Sequence, residues 1–464
     1  MLRRTLASLV ALAAPMVHAQ SSVPADPLAA RVDSVARHVL AETGEPSASV
    51  AVVRHGHVAY AQAYGSAKLE PHTAASPAMR YAIGSVSKQI TAAALLLLQE
   101  DGKLRLDDRV EQWVPGLTRG ADVTLRQLVS HTSGYQDFWP QDYVPPEMQR
   151  AIPASRILDR WARRALDFEP GARWQYSNTN FVIAALAVEK ASGIPFFRFV
   201  HTRILDPLGM KSASDFDGVG SASIDPVGYM RYALGPLHPA TPTGPGWMYG
   251  AGELSMSASD LATWDMAMMR RTLLSPASWN EMERMVLLND GGGSGYGLGV
   301  FVGRMDGHRL ISHGGEVAGF TSTNMVFPDD SAAVVVFVNQ DAASSPDLIA
   351  SAIARSLFST EDALTSRYTA RARGILDGLQ RGTIARALFT ANANSYFSAE
   401  AVRDFQASLA PLGAPTSFNE VGRSLRGGMV ARSYRVVFPT RVLSLWTYEL
   451  PDGTLEQLQI APGR

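Results

Sequence analysis

The stretch Ile83-Gly84-Ser85-Val86-Ser87-Lys88, followed by the apolar run Ile90-Thr91-Ala92-Ala93-Ala94-Leu95-Leu96-Leu97-Leu98, decides how this chain is read. On a helix, positions i and i+3 share a face, so the Ser85 hydroxyl and the Lys88 amine come within reach of each other. Ser85 at the N-terminal end of such a helix also faces free N–H groups and the positive end of the helix dipole. A serine with an amine in reach and a sink for developing negative charge is the start of an acyl-transfer site. The chain has only five lysines, and Lys88 alone has a serine three residues before it. By itself Ser-x-x-Lys is weak, because such pairs also arise on solvated helix faces.

Working outward, a helix-like segment at Asp26–Glu42 precedes two β-rich runs, Ala48–Val53 and Val58–Ala61, around Arg54-His55-Gly56-His57. This pattern predicts a hairpin. From Ser85 to about Asn289 the texture is mostly helical, with helical periodicity in Ala154–Ala165, Asn180–Ala191 and Ala258–Met269. Strand-like runs return at Gly297–Val302, Arg309–Ser312, Thr321–Phe327 and Ala332–Asn339, and a helix-like segment follows at Pro346–Phe358. The expected fold is α/β of the α+β kind: one antiparallel sheet built from both ends of the domain, flanked by helices, with a mostly helical insert. The cleft between sheet and insert is where a site is expected. Residues 360–464 read as a separate small α+β domain, with helices at Thr365–Leu379 and Thr383–Ala391 and strands at Val430–Phe438, Arg441–Glu449 and Thr454–Ile460.

The 464 residues are 46% hydrophobic and 18% charged, with a net charge of −1. That balance provides no basic field for nucleic acid or anionic lipid. Residues 1–19 have the form of an export signal: Arg3 and Arg4, the apolar Leu6–Ala14, and a small-residue cleavage site at Val17-His18-Ala19. The expected mature chain starts at Gln20, carries its main domain over residues 20–359 without a membrane span, and resides in the periplasm or outside the cell. With no cysteine in the chain, disulfides, thiol catalysis and Cys-ligated metals are excluded. No His and acidic pair shows metal-ligand spacing in a convincing context, so no metal and no cofactor is expected.

Three further signals accompany Ser85. Tyr176-Ser177-Asn178 follows the turn signal Glu169-Pro170-Gly171 and precedes a helix-like run, which predicts a loop position. A loop tyrosine acts as a base when an ammonium stabilises its phenolate, and Asn178 offers an amide able to hold a substrate carbonyl or the lysine. His313-Gly314-Gly315, at the end of a strand-like run, leaves room for a substrate backbone along a strand edge. His131, in Ser130-His131-Thr132-Ser133-Gly134, reads as a structural histidine in a helix-ending turn closed by Gly134.

In their order and context these segments resemble the serine hydrolases that include class C β-lactamases, penicillin-binding D,D-peptidases, D-aminopeptidases and related esterases. The resemblance runs from about Ala48 to Asn339. It also takes in Val123–Gly134, Phe168–Asn178, Gly250–Ser257 and Tyr296–Gly299. It implies Ser85 as nucleophile, Lys88 as proton shuttle, Tyr176 as general base and later acid, and Asn178 as the residue orienting substrate. It further implies an oxyanion hole from the backbone N–H groups of Ser85 and Glu316, and hydrolysis through an acyl-serine without a cofactor. Where β-lactamases and D,D-peptidases carry Lys-Thr/Ser-Gly, this chain has His313-Gly314-Gly315, which lacks the ammonium and hydroxyl that grip a carboxylate. A partly charged His313 is expected at neutral pH. The expected activity is therefore esterase or D-amino-acid peptidase on a small ester, amide or peptide substrate. A β-lactamase or D,D-carboxypeptidase, and a penicillin- or peptidoglycan-binding module that does not turn over, stay open as alternatives. Oligomeric state is not legible.

Overall fold

The structure, a computed structural model, describes residues 27–141, 143–358 and 363–463. The expected export segment lies outside the described residues. The chain divides into two compact units, the first ending at Leu357 and the second beginning at Phe358.

In the first unit, helix α1 (Pro27–Thr43) leads into the hairpin β1 (Ser47–Arg54) and β2 (His57–Lys68). Arg54 pairs with His57, and the two intervening residues, His55 and Gly56, both have positive φ, the form a two-residue hairpin favours. A short β3 (Thr73–Ala74) follows, then α2 (Lys88–Glu100), α3 (Asn178–Ser192) and α4 (Ala258–Arg270). The chain returns as β4 (Phe301–Met305), β5 (His308–Val317), β6 (Phe320–Phe327) and β7 (Ala332–Val338), and then forms α5 (Ser345–Phe358). The sheet order is β3-β2-β1-β7-β6-β5-β4, antiparallel throughout. Ala48 of β1 lies opposite Val338 of β7, so the two ends of the unit meet at the sheet centre with the helical region inserted between them.

The central strands are buried along nearly their whole length, β7 at every position and β1 at all but Arg54. A strand covered on both faces reads as a continuous apolar run, which is what these Val/Ala segments are. Helix α4 packs against β1 and β7. In α2 every residue from Lys88 to Leu98 is buried, so the helix is enclosed on all sides and forms the spine of the core, in contact with α3. Among the described residues no single helix is long and apolar enough to cross a membrane.

The second unit comprises α6 (Ala363–Gln380), α7 (Ala391–Tyr396) and α8 (Ala399–Leu409). They are followed by a four-stranded antiparallel sheet, β8 (Ser417–Arg426), β9 (Met429–Val437), β10 (Val442–Glu449) and β11 (Leu455–Pro462), in sequential order. Its own core gathers Leu376, Leu379, Phe397, Tyr434, Leu445 and Leu455. Burial along β10 alternates strictly, as a period of two requires.

Several boundaries differ from the sequence reading. The strand expected at Gly297–Val302 begins only at Phe301. Before it, Gly297 N–H donates to Val300 O and Gly299 turns at φ 72°, with Lys88 O only 2.6 Å from where its Cβ would stand. Leu298 and Val300 are apolar because this loop lies over α2, not because it is a strand. Ala154–Ala165 is α-helical only through Ile157 and then widens into a π-turn. The helix expected at Thr383–Ala391 is a 3-10 turn, Arg386–Leu388, and helix starts at α7, where the Thr390 side chain accepts from Ala393 N–H. Strand β8 was not expected, since most of its outer half is exposed and polar and its turn, Gly427-Gly428, carries the hairpin signal alone.

Candidate active site

Ser85 sits in a 3-10 turn, Gly84–Ser87, that runs directly into α2, so Lys88 opens the α-helix proper. The turn is fixed from two sides. Ile83 N–H donates to Leu254 O and the Ser87 hydroxyl accepts from Leu254 N–H, which ties the turn to the segment after Gly250. On the other side Gly84 (φ 51°) meets β5, where a Cβ would stand 2.8 Å from the Glu316 backbone nitrogen. The Glu316 amide thus lies beside the residue preceding Ser85.

The Lys88 amine is buried and donates to three oxygens: Ser85 Oγ at 2.9 Å, Asn178 Oδ1 at 2.8 Å and Ala251 O at 2.7 Å. An ammonium has three N–H donors and is saturated by these contacts. A neutral amine has two donors and a lone pair, which leaves it able to accept a proton from Ser85. Burial lowers the lysine to about 7, and the Asp137 carboxylate pulls the other way.

Tyr176 lies on the loop before α3, with Lys88 Nζ 4.9 Å from its ring centre. Burial pushes its phenol well up, against the effect of a hydrogen bond with Ser85. The ring is backed by His131, 4.3 Å away between ring centres. His131 Nδ1 accepts from Ser177 N–H at 3.1 Å, and burial holds the imidazole neutral, well below its usual range. The helix-ending turn expected to be closed by Gly134 is closed by His131 itself, at φ 59° just past the helix Leu125–Val129, with Thr132 N–H donating to Gln127 O, and its ring packs against the tyrosine.

Asn178 is the first residue of α3. Its Oδ1 faces Lys88, while its Nδ2 and backbone N–H both donate to Asp137, at 3.2 and 2.9 Å to Oδ1. Asp137 was not singled out in the sequence. It lies on a loop with no periodicity to mark it, three residues past the Gly134 turn.

His313, Gly314 and Gly315 lie within β5 rather than at its end, just past Ser312, where pairing with β4 stops. The strand edge beyond Ser312 is therefore not covered by β4. His313 is buried, with Nε2 2.7 Å from the Tyr296 hydroxyl and Nδ1 2.5 Å from Gly314 O. A carbonyl only accepts, so Nδ1 carries the proton and Nε2 accepts from Tyr296. Burial, with Lys88 nearby, lowers His313 to about 3. The expectation of a partly charged His313 is corrected: the ring is neutral and carries no anion grip. The two glycines also differ. A Cβ on Gly315 would stand 2.0 Å from Ile83 O, so this glycine permits the close approach of β5 to the Ser85 turn, whereas Gly314 has only Ser322 O, at 3.7 Å.

These groups open onto a cavity of about 720 Å³. Ser85, Tyr176, Asn178 and the segment His313–Glu316 line it, with Trp139, Tyr143, Trp247 and Phe301 forming apolar wall. Among the described residues its charged lining side chains are Asp137, Glu316, Asp341 and Asp347, and no lysine or arginine lines it. The Glu316 side chain accepts from Ala342 N–H at 3.0 Å. Among the described residues no group of three or more His, Cys, Asp or Glu could hold a metal.

Comparison with known proteins agrees with this architecture. Residues 32–357 match a family model described as Beta-lactamase. The chain is similar to penicillin-binding protein 4* of Bacillus subtilis (strain 168), 28% identical over 320 residues, 65% of this chain and 70% of that protein. A solved D-stereospecific amidohydrolase from Streptomyces sp. is 27% identical with a TM-score of 0.60, over 71% of this chain and 98% of that one. The octameric penicillin-binding protein homologue from Pyrococcus abyssi shares the fold at 22% identity and a TM-score of 0.63, over 94% of this chain and 98% of that one. The match across the whole sheet-and-insert unit, with the serine, lysine and tyrosine gathered at one cleft, leads to a single assignment: the chain belongs to the beta-lactamase family of hydrolases.

Proposed function

We propose that this chain is an exported serine hydrolase that cleaves small esters and D-amino-acid amides through an acyl intermediate on Ser85. The observation that carries the reading is the buried Lys88 amine 2.9 Å from Ser85 Oγ. With the amine lowered to about 7, a large share of it is neutral near neutral pH and takes the Ser85 proton as the oxygen attacks a carbonyl. The backbone N–H groups of Ser85 and Glu316 receive the oxyanion, each donor contributing about 3 kcal/mol to lowering the barrier. Tyr176, whose phenol keeps its proton at rest, supplies it to the leaving group and takes back the proton held by the lysine ammonium, so that amine and phenol both return to their starting forms before water enters. Water then repeats the sequence on the acyl-enzyme, regenerating Ser85. Lys88 is thus the first proton acceptor, and the tyrosine enters as the acid.

The substrate class follows from charge. Among the described residues four carboxylates and no lysine or arginine line the cavity, and the histidine standing where a lysine would grip a carboxylate is neutral. Like charges in a partly enclosed cleft oppose an anionic substrate and tolerate a neutral or amine-bearing one. The name of the Streptomyces relative, a D-stereospecific amidohydrolase, supports an amide substrate of D configuration, and the form of residues 1–19 supports export.

Purified protein assayed with a fluorophosphonate, p-nitrophenyl esters, D-amino-acid anilides and a chromogenic cephalosporin tests both parts. Ser85→Ala is expected to lose labelling and all turnover while remaining folded; full activity in that variant refutes the nucleophile. Cephalosporin as the preferred substrate refutes the charge reading. A burst without steady turnover refutes the hydrolase in favour of a binding module.

A further inference from the structure

We propose that Asp137, outside the Ser-Lys-Tyr group, is the positioning residue that holds Asn178 in its lysine-facing orientation and sets the charge balance on Lys88. The inference deepens the serine-hydrolase reading of this cleft and rests on it.

An asparagine amide has a donor end and an acceptor end, and at Asn178 the choice between them is forced. Nδ2 reaches both carboxylate oxygens of Asp137, at 3.2 and 3.4 Å, while Oδ1 receives Lys88 at 2.8 Å. A carboxylate only accepts, so it keeps the NH2 on its own side; turned over, the amide would aim donors at the lysine. Asp137 is itself held, since Oδ1 also accepts the backbone N–H groups of Asn178 at 2.9 Å and Trp139 at 3.2 Å. The chain Lys88–Asn178–Asp137 therefore fixes both an orientation and a charge.

The other groups facing the lysine carry no net charge. Ser85, Ala251 O and Asn178 are neutral, and the Tyr176 phenol is held protonated by burial. His131 and His313 are both kept neutral by burial. Asp137 is the carboxylate whose charge acts on Lys88, favouring its ammonium form. It acts also on Tyr176, whose phenolate it disfavours. Burial makes Asp137 itself harder to ionise, which ties its charge to its backbone donors. The carboxylate thus opposes the effect of desolvation on Lys88 and holds the amine's proton affinity above what burial alone would leave. A residue that merely caps α3 would share the backbone contacts and have no influence on proton traffic.

The experiment compares the full-length wild type with Asp137→Asn, Asp137→Ser and Asp137→Glu, following the pH dependence of Ser85 acylation by a fluorophosphonate and the thermal unfolding temperature. Removing the charge lets Lys88 lose its proton more easily, so in Asp137→Asn the acid limb of the profile is expected to move about one pH unit to lower pH. Asp137→Ser, a second neutral variant should the first fail to fold, is expected to show the same shift. Asp137→Glu restores the charge and is expected to leave the limb close to wild type. A limb that stays in place in a folded neutral variant overturns the proposal, whatever happens to the plateau rate. Failure of the underlying reading looks different: the wild type is not labelled, or Ser85→Ala is labelled equally.

Discussion

Gly315→Ala adds one methyl group at the point where β5 crosses the Ser85 turn. Its Cβ would stand 2.0 Å from Ile83 O, 2.5 Å from Ser322 Oγ and 3.0 Å from Ile83 C, against ordinary van der Waals contact from 3.4 Å. The serine hydroxyl can rotate away, but Ile83 O belongs to a backbone whose N–H is fixed by Leu254 O. Strand and turn must therefore separate by more than 1 Å. Overpacking of this kind costs about 1–3 kcal/mol. The same shift moves Ser85 relative to the Glu316 amide, and a misplacement of about 1 Å lowers rates about 100-fold. Gly314→Ala is the internal control, since its Cβ would meet only Ser322 O at 3.7 Å. Acylation of Ser85 by a fluorophosphonate and thermal unfolding, measured on both variants, are expected to show a slow, destabilised Gly315→Ala beside a near-normal fold in Gly314→Ala. Wild-type acylation and stability in Gly315→Ala would refute the claim that this glycine sets the distance between the two segments.

Asp265 is fully buried, with Asn324 Nδ2 on Oδ2 at 2.8 Å and, among the described residues, no partner on Oδ1, and burial raises its carboxyl well above the usual range. The folded chain therefore retains a proton that the unfolded chain releases above its ordinary value of 3.8, so stability falls as pH rises past it, by up to about 1.4 kcal/mol per pH unit until the folded group ionises. Asp265→Asn removes this contribution and is expected to flatten the decline in denaturant unfolding toward alkaline pH; identical slopes in the two proteins refute the buried neutral acid. Glu283, whose side chain has no exposed surface, pairs with Arg271 at 2.5 and 2.9 Å and with Arg309 at 2.6 Å. Glu283→Ala is expected to lose about 3 kcal/mol in denaturant titration, and a loss within about 0.5 kcal/mol, typical of an open surface, refutes the role.

Much of the site was legible because its first pair is local. Ser85 and Lys88 are separated by one helical turn, and the Ala/Leu run after them fixes that turn, so proximity follows from helix geometry alone. Asn178 and Tyr176 could be nominated from their loop context, and the buried Val/Ala strands from composition. The second unit shows the opposite case: β8 is mostly polar and outward-facing, and nothing in its pattern separates it from loop until it pairs with β9.

By itself, then, the sequence determined the sheet-and-insert architecture and the pairing of Ser85 with the Lys88 amine, because periodicity and short-range spacing are properties of a chain read in order. Only the tertiary structure decided the rest. Asp137 reaches Asn178 across about forty residues, His131 finds the face of Tyr176, and His313 becomes neutral because the strands and Tyr296 enclose it. Proton affinity and amide orientation depend on which distant groups exclude water and which face a given atom, and that is settled when loops pack against one another.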